Sequence, residues 1–212
     1  MLHGLALGAS VLAAAAPYKS SIEPLPQPVR ERLVQGGYWH RGCPVPLSGL
    51  RLLTVTHRGW RGRTRQGQVI VNKAAAPRLR VAFRRLYALH FPIRHMKLEH
   101  YYGTRSQQRG DVTASFHCRQ AAASPCTGNK RTGTWSNHAY GLAIDLNPRE
   151  NPYVGCGMSR DPTAQRYRDR SRHRKGMITR RAVQAFASVG WEWGGAWAGA
   201  TKDYMHFSHN GR

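Results

Sequence analysis

The sequence has 212 residues, enough for one domain of ordinary size, and its 33 basic against 10 acidic residues give a net charge of +23. A hydrophobic fraction of 41% excludes a disordered acidic tail, and the lack of an apolar run of about 18 residues excludes a bundle of membrane-spanning helices. The excess positive charge predicts attraction to polyanions such as nucleic acid, an anionic cell-wall polymer or an acidic membrane surface.

The chain begins with an apolar segment. Residues 2–16 have the length of the hydrophobic region of a secretory signal and end in alanines that suit cleavage, although the usual basic residues before it are missing. The alternative is an ordinary alanine-rich helix. Residues 17–50 are rich in proline and predict an extended lead-in with a short helix near 29–35. We therefore expect a leader at 1–16, the lead-in, and a single domain at 51–212 in a protein that is secreted or associated with the cell wall.

The remaining segments mix strands and helices. Residues 52–57 and 68–72 alternate apolar and polar side chains around a turn rich in glycine and arginine, which predicts a β-hairpin. A helix is predicted over residues 78–90, with an apolar face that ends with Leu86 and Leu89. Further predicted elements are strands at 93–99, 139–146, 191–193 and 204–208, a long loop at 147–176 and a helix at 179–189. Because no βαβ repeat occurs, the pattern indicates an α+β fold, with a small antiparallel sheet flanked by helices.

Four cysteines follow the leader, and their even number fits one or two disulfides in an exported protein. They allow three complete pairings, and the sequence does not choose among them. The short spacing between Cys118 and Cys126 also allows a small loop closed by these two residues. A zinc knuckle is disfavoured because no C-x-x-C pair occurs.

Two histidines and two aspartates stand out in the C-terminal half. His138 precedes Asp145 by seven positions, and Asp203 precedes His206 by three. Imidazole nitrogens and a carboxylate oxygen suit Zn²⁺, and two histidines with one carboxylate form a catalytic set that leaves a position for water. A second carboxylate is then needed to take the proton of that water. Each residue alone has a simpler explanation as a satisfied polar residue, a turn residue or a surface acid.

The neighbouring residues make this spacing specific. The motif S-x-H-x-x-G-x-A-x-D at 136–145 is followed by W-G-G-x-W at 193–197 and D-x-M-H-F at 203–207. Together they closely resemble the M15 family of zinc D,D-peptidases, which contains D-alanyl-D-alanine carboxypeptidases and the related L-alanyl-D-glutamate endopeptidases of phage lysins. The resemblance covers roughly residues 40–209. It implies a fold like the Hedgehog/D,D-peptidase fold.

By position, the resemblance also implies roles for single residues. His138, Asp145 and His206 correspond to the zinc ligands of the family. Asp203 corresponds to the catalytic acid and base, a place that many members fill with Glu. Arg119 matches the arginine that binds the substrate and steadies a developing oxyanion, a role that suits a forked and permanently charged guanidinium.

Three further residues are candidates for substrate contact. The family pattern T-S-A-F-N-C-R reads here as T-A-S-F-H-C-R at 113–119, so Ser115 is displaced by one position, which turns its hydroxyl to the other face of an extended segment. Trp193 and Trp197 either pack in the core or form a wall of the substrate cleft. Polar surface or loop positions are predicted for His57, His117 and His173.

These observations predict a zinc-dependent peptidase that hydrolyses peptidoglycan stem peptides, with the terminal D-Ala–D-Ala amide as the expected bond. One alternative is an endopeptidase that cleaves L-Ala–D-Glu or a cross-link. Another is a non-catalytic basic module that binds polyanionic wall polymer or nucleic acid. Because Asp145 and Asp203 are assigned to the metal site, we expect the positive charge to attract anionic wall polymer rather than a specific nucleic acid. We expect a monomer without a transmembrane span.

Overall fold

The computed structural model describes residues 16–127, 133–159 and 161–212. Residues 2–15, which make up nearly all of the expected leader, lie outside the described residues. Among the helices that are described, none combines the length and the apolar character needed to cross a membrane.

Helices and short strands alternate along the described chain. The helices are α1 (Gln27–Gln35), α2 (Ala76–Ala88), α3 (Leu98–Tyr102) and α4 (Arg180–Ala187). The strands are β1 (Ser20–Pro24), β2 (Leu50–Gly59), β3 (Thr64–Asn72), β4 (Pro92–Ile93), β5 (Ala143–Asp145), β6 (Tyr153–Gly155), β7 (Met158–Ser159), β8 (Glu192–Trp193), β9 (Thr201–Asp203) and β10 (His206–Ser208). This mixture of helices and small, mainly antiparallel sheets is compatible with the predicted α+β class.

The largest sheet is built around the predicted hairpin. Strand β2 pairs antiparallel with both β1 and β3, and its end pairs with β4 in parallel. Both faces of β2 are buried: Leu53 and Val55 face one apolar cluster with α2, whereas Leu50 and Leu52 face a second cluster on the α1 side. The hairpin prediction is confirmed, and the strands extend beyond the predicted residues. The proline-rich segment contributes β1 and α1 to this sheet and its second cluster.

The two long helical predictions are confirmed with shifted ends. Helix α2 has Pro77 in its first turn and buries Phe83 and Leu86. It ends at Ala88, so Leu89 follows the helix and is 36% exposed, which corrects the predicted extension of the apolar face. Helix α4 begins after Thr179, whose side chain caps it by accepting a hydrogen bond from the backbone N–H of Ala182 at 3.2 Å.

Other predicted elements were wrong. The strand predicted at 93–99 is a strand only at Pro92–Ile93, because α3 begins at Leu98. The strand predicted at 139–146 begins instead as the 3₁₀ helix Asn137–Tyr140. Gly141 ends that helix with a φ of 65°, a conformation that favours glycine, and only then does β5 start. The long loop predicted at 147–176 contains β6 and β7.

Two disulfides fasten the loops around the sheets. Cys43 pairs with Cys118, and Cys126 pairs with Cys156, so the small loop considered between Cys118 and Cys126 does not form. The first bond ties the segment after α1 to the strand-like segment that leads to Arg119. The second ties the loop at Pro125–Thr127 to the end of β6.

Two three-stranded sheets complete the fold. One has the order β5-β10-β8 and the other β7-β6-β9. Phe207 of β10 stacks on Phe186 of α4 with ring centroids 4.1 Å apart, which anchors the first small sheet on the main core. These sheets carry Asp145, His206 and Asp203 at strand ends.

Candidate metal centre and cleft

His138 is held in one orientation by its surroundings. It lies in the 3₁₀ helix Asn137–Tyr140, where the Ser136 hydroxyl accepts a hydrogen bond from its backbone N–H at 3.2 Å. Its ring Nδ1 lies 2.6 Å from the main-chain oxygen of Ser115. Because a carbonyl oxygen only accepts, Nδ1 carries the proton and Nε2 keeps a free lone pair. This is the arrangement in which a main-chain carbonyl orients a metal-binding histidine.

Asp145 and His206 face each other across two paired strands. They are direct partners in the antiparallel register of β5 and β10. The backbone of Asp145 is also fixed on its other side by hydrogen bonds to Ala114. His206 Nε2 donates to the main-chain oxygen of Arg212 at 3.1 Å, so its Nδ1 is the nitrogen with the free lone pair.

The three side chains converge on one point. His138 Nε2 lies 3.2 Å from His206 Nδ1, and each of these nitrogens lies 3.2 Å from an oxygen of Asp145. Tetrahedral zinc with ligands at 2.0–2.1 Å separates its donor atoms by about 3.3 Å. The donor types, their spacing and the two fixed tautomers therefore fit zinc.

The charges in this cluster are coupled. Burial alone would raise the pKa of Asp145, but ion pairing and hydrogen bonding with His138 and His206 outweigh it and hold that pKa well below its ordinary value. Burial alone would lower the pKa of His206, but the Asp145 carboxylate raises it above its ordinary value. Asp145 is therefore ionised within this cluster.

Asp203 lies beside the cluster without belonging to it. Its Oδ1 is buried and has no hydrogen-bond partner among the described residues. Burial raises the pKa of Asp203 to about 7, and the Asp145 carboxylate adds to the rise, whereas His206 and Arg119 oppose it. A carboxyl group with this pKa can both accept and donate a proton near neutral pH.

A cavity of about 240 Å³ opens over these residues. His138, His206 and Asp203 line it together with Arg119 and Trp197. The Trp197 ring lies 6.1 Å from the His206 ring, and its Nε1 donates to the main-chain oxygen of Gly211. The cavity thus combines imidazoles of the converging cluster, a carboxyl group of raised pKa, a guanidinium and an aromatic wall.

A comparison with protein families agrees with this arrangement. The peptidase M15 family model described as D-alanyl-D-alanine carboxypeptidase matches residues 129–209. That range contains the three converging side chains and Asp203. The match supports an M15 family D,D-peptidase-like protein. Searches of curated proteins and of solved structures gave no match.

Two of the predicted site residues, Ser115 and Trp193, do not line the cavity. Ser115 is buried, and its hydroxyl donates to the main-chain oxygen of Ala143 at 2.5 Å. Trp193 donates from Nε1 to the main-chain oxygen of Tyr204 at 2.8 Å and packs beside Phe207. Their contacts are those of packing and positioning groups.

Two main-chain oxygens and one glycine that shape the site were not predicted from the sequence. The carbonyl oxygens of Ser115 and Arg212 set the histidine tautomers, and main-chain atoms leave no side-chain signature in a sequence. Gly194 does leave a signal in the sequence, because it belongs to the W-G-G-x-W motif. A Cβ at this position would lie 2.6 Å from the main-chain oxygen of Asp203 and 3.3 Å from the Cβ of His206. A glycine is therefore required for these residues to approach each other.

One predicted surface histidine is misplaced. His57 is only 5% exposed, because it lies on β2 opposite Arg65 of β3 and its ring packs close to Gly67. His117 is half-buried beside the metal centre, where its Nδ1 lies 3.1 Å from the Tyr101 hydroxyl. His173 is exposed, as expected.

Proposed function

We propose that the protein is a zinc-dependent peptidase that hydrolyses peptidoglycan stem peptides at the terminal D-Ala–D-Ala bond. The observation that carries the proposal is the mutual 3.2 Å spacing of donor atoms from His138, Asp145 and His206 beside Asp203. The family match over residues 129–209 supports a peptidase. The strands and helices are proposed to form a D,D-peptidase-like fold.

His138 Nε2, His206 Nδ1 and one oxygen of Asp145 would hold the metal. Bound Zn²⁺ supplies a Lewis acid for the scissile carbonyl and lowers the pKa of water toward about 7. Nitrogen and oxygen donors in this number leave a fourth position of a tetrahedral site for water or substrate.

Asp203 is proposed as the general base and then the general acid. Its carboxyl group, which lines the cavity, accepts the proton of the attacking water and passes it to the nitrogen of the leaving D-alanine. Its pKa of about 7 suits both directions of that transfer. The surrounding burial keeps competing bulk water away from the carboxyl group.

Arg119 is proposed to bind the terminal carboxylate of the stem peptide or the developing oxyanion. It lines the same cavity as Asp203 and His206, and its guanidinium is only lightly engaged, through a 3.3 Å hydrogen bond to Gln120 O. A cation in a small cavity favours a chain end, which carries a free carboxylate, over a chain middle. Trp197 forms one wall of the proposed subsite.

The location and state of the protein are part of the proposal. Two disulfides suit an oxidising compartment, and a peptidase for peptidoglycan has its substrate outside the cytoplasm. We propose a secreted or wall-associated monomer.

Release of D-alanine from a defined pentapeptide ending in D-Ala–D-Ala tests the proposal. Zinc-loaded protein should release D-alanine, chelator-treated protein should not, and added zinc should restore the activity. A tetrapeptide that lacks the last D-alanine is the matched control and should not be cleaved. No release by zinc-loaded protein overturns the carboxypeptidase assignment. Soluble fragments from intact cross-linked wall would then favour an endopeptidase, and the absence of bound zinc would favour a basic binding module.

A further inference from the structure

A second cavity lies where the β2–β3 hairpin meets the segment 94–100. Its volume is about 430 Å³, larger than that of the cavity at the metal centre. Four basic side chains line it, and no acidic side chain of the described residues does: Arg61, Arg65, Arg94 and Lys97. Arg94 is paired with Asp111 and Glu150, and Lys97 with Glu99, so Arg61 and Arg65 supply most of the positive charge open to a ligand. We call this second cavity the hairpin cavity. Concentrated charge of one sign in a concave site focuses the electrostatic potential and favours an anionic ligand.

Histidines add hydrogen-bonding capacity to this cavity. His57 and His100 line it, and the Nδ1 atom of His100 is buried without a hydrogen-bond partner in the described part of the chain. Burial lowers the pKa of both rings, which keeps them neutral at neutral pH and able to donate from one nitrogen. Unsatisfied buried nitrogens are rare in folded proteins and call for a partner that is bound at times.

The one tryptophan of the hairpin cavity is already covered. The guanidinium of Arg94 lies 3.6 Å from the centroid of the Trp60 ring, and Lys175 Nζ lies 5.3 Å from it. Gly176 also packs so closely on this ring that a Cβ would lie 2.6 Å from it. Recognition of single-stranded nucleic acid relies on aromatic rings that are free to stack on bases. The hairpin cavity therefore favours a ligand without bases.

We propose that the hairpin cavity binds the phosphate groups of an anionic cell-wall polymer. Arginine forks and imidazole N–H groups suit the several acceptor oxygens of a phosphodiester. The choice of a wall polymer over other phosphodiesters rests on the proposed function, because a stem-peptide hydrolase works in the cell wall, where such a polymer lies beside its peptide substrate. Binding there would keep the enzyme at the wall while the cavity at the metal centre stays open to peptide.

Titration calorimetry with poly(glycerol phosphate) at about 150 mM salt tests the proposal, since distant surface charges are largely screened under that condition. The double variant Arg61→Gln/Arg65→Gln should bind at least about tenfold more weakly than the unchanged protein, because charge-assisted hydrogen bonds are lost. The matched control Arg84→Gln/Arg85→Gln removes the same charge from the exposed face of α2 and should change binding less than twofold. Equal weakening in both variants would overturn the site.

A second measurement locates the ligand. The ring resonances of His57 and His100 should shift on addition of poly(glycerol phosphate), whereas those of the exposed His209, which follows β10, should stay in place. Single-stranded DNA of equal charge is the comparison polymer. If DNA bound more tightly and lost affinity selectively in Arg61→Gln/Arg65→Gln, the assignment to a wall polymer would be wrong.

The test does not depend on catalysis. Chelator-treated protein should bind poly(glycerol phosphate) as tightly as zinc-loaded protein does, because the cavity contains none of the proposed zinc ligands. Failure of peptide hydrolysis would therefore leave the binding result intact. Absence of polymer binding from a protein that hydrolyses the pentapeptide would overturn only the hairpin cavity.

Discussion

Two buried clusters of charged and polar side chains differ in whether they leave nitrogen lone pairs free to bind a metal ion. At the metal centre, two imidazoles surround one carboxylate, and their free nitrogens point to a shared space. In a second cluster, the single guanidinium of Arg94 lies 2.5 Å from Asp111 and 2.6 Å from Glu150, and both carboxylate side chains are fully buried. We call it the Arg94 cluster.

The difference shows what distinguishes a candidate metal-binding site from an ion-pair cluster that only holds the fold together. A guanidinium has no lone pair to offer a metal ion, so the nitrogens of Arg94 cannot join the carboxylate oxygens of this cluster as metal ligands. Its carboxylates hold the chain instead, since Asp111 also accepts a hydrogen bond from the backbone N–H of Arg149 at 3.0 Å. At the metal centre, main-chain carbonyls occupy the outer nitrogen of each histidine and leave the inner one free. Buried charge alone therefore does not identify a reactive site.

Removal of a ligand should give the largest effect. His206→Ala should weaken zinc binding by more than the 10- to 100-fold typical of lost outer-shell contacts, and hydrolysis should fall to background. Glu150→Gln changes a buried acid of the Arg94 cluster and should keep full zinc content. Metal analysis and D-alanine release measure both variants. One zinc per chain in His206→Ala would remove this residue from the metal centre.

Asp203→Asn should separate chemistry from metal binding. Because the amide cannot accept the proton of water, kcat should fall by about 10²–10⁴-fold while the zinc content stays unchanged. Asp203→Glu keeps a carboxyl group and should retain part of the activity. The measurements are steady-state kinetics on the pentapeptide and metal analysis. Wild-type turnover by Asp203→Asn would exclude a role for this residue in proton transfer.

The contrast between the two clusters also explains what the sequence could predict. His138, Asp145, Asp203 and His206 lie in short motifs with distinctive spacing, and the structure brings all four together. Nothing comparable marks the Arg94 cluster, whose members are 17 and 39 positions apart along the chain. Its formation depends on loop packing at a distance, and no local period or motif reports such packing.

The secondary structure could likewise be predicted where a local sequence pattern reports it, but not where distant packing decides it. The hairpin and α2 were predictable because their apolar residues recur with the period of a strand or a helix. The segment 139–146 looked like one buried strand, but its apolar run covers a 3₁₀ turn that Gly141 reverses. Short apolar runs are ambiguous in this way, and the tertiary position of Gly141 against Asn72 decided the outcome.

Gly194→Ala tests how tightly the metal centre is packed. The new Cβ would lie 2.6 Å from the main-chain oxygen of Asp203, so the backbone must move and carry the carboxyl group with it. Misplacement by about 1 Å can cost about 100-fold in rate, and we expect a loss of ten- to a hundredfold in kcat/KM. Gly110→Ala, near the Arg94 cluster, meets only Arg149 at an ordinary 3.4 Å and should leave the rate unchanged. Equal rates in both variants would contradict the packing argument.

Glu150→Gln should change how stability depends on pH. Burial raises the pKa of Glu150 to about 7, with the Asp111 carboxylate adding to the rise, because Arg94 cannot compensate both charges. The folded chain then holds this proton at pH values where the unfolded chain has lost it. Stability should therefore fall as pH rises from about 5 to about 7, and the glutamine variant should lose less over that range. Urea unfolding at both ends of this pH range measures the change in unfolding free energy. An equal change in the two proteins would contradict the raised pKa of Glu150.

Ser115→Ala should give the smallest effect. It decides whether Ser115 is a structural residue or a substrate contact. Its buried hydroxyl donates to Ala143 O, so its loss should cost about 1 kcal/mol of unfolding free energy. KM for the pentapeptide should not change, because the main-chain oxygen that orients His138 remains. Ser188→Ala removes the bond of an exposed serine to Ala185 O at the end of α4, so it is the control for loss of a hydroxyl outside the buried core. A tenfold rise in KM with unchanged stability would instead make Ser115 a substrate contact, since only a hydroxyl that reaches the ligand alters binding without altering folding.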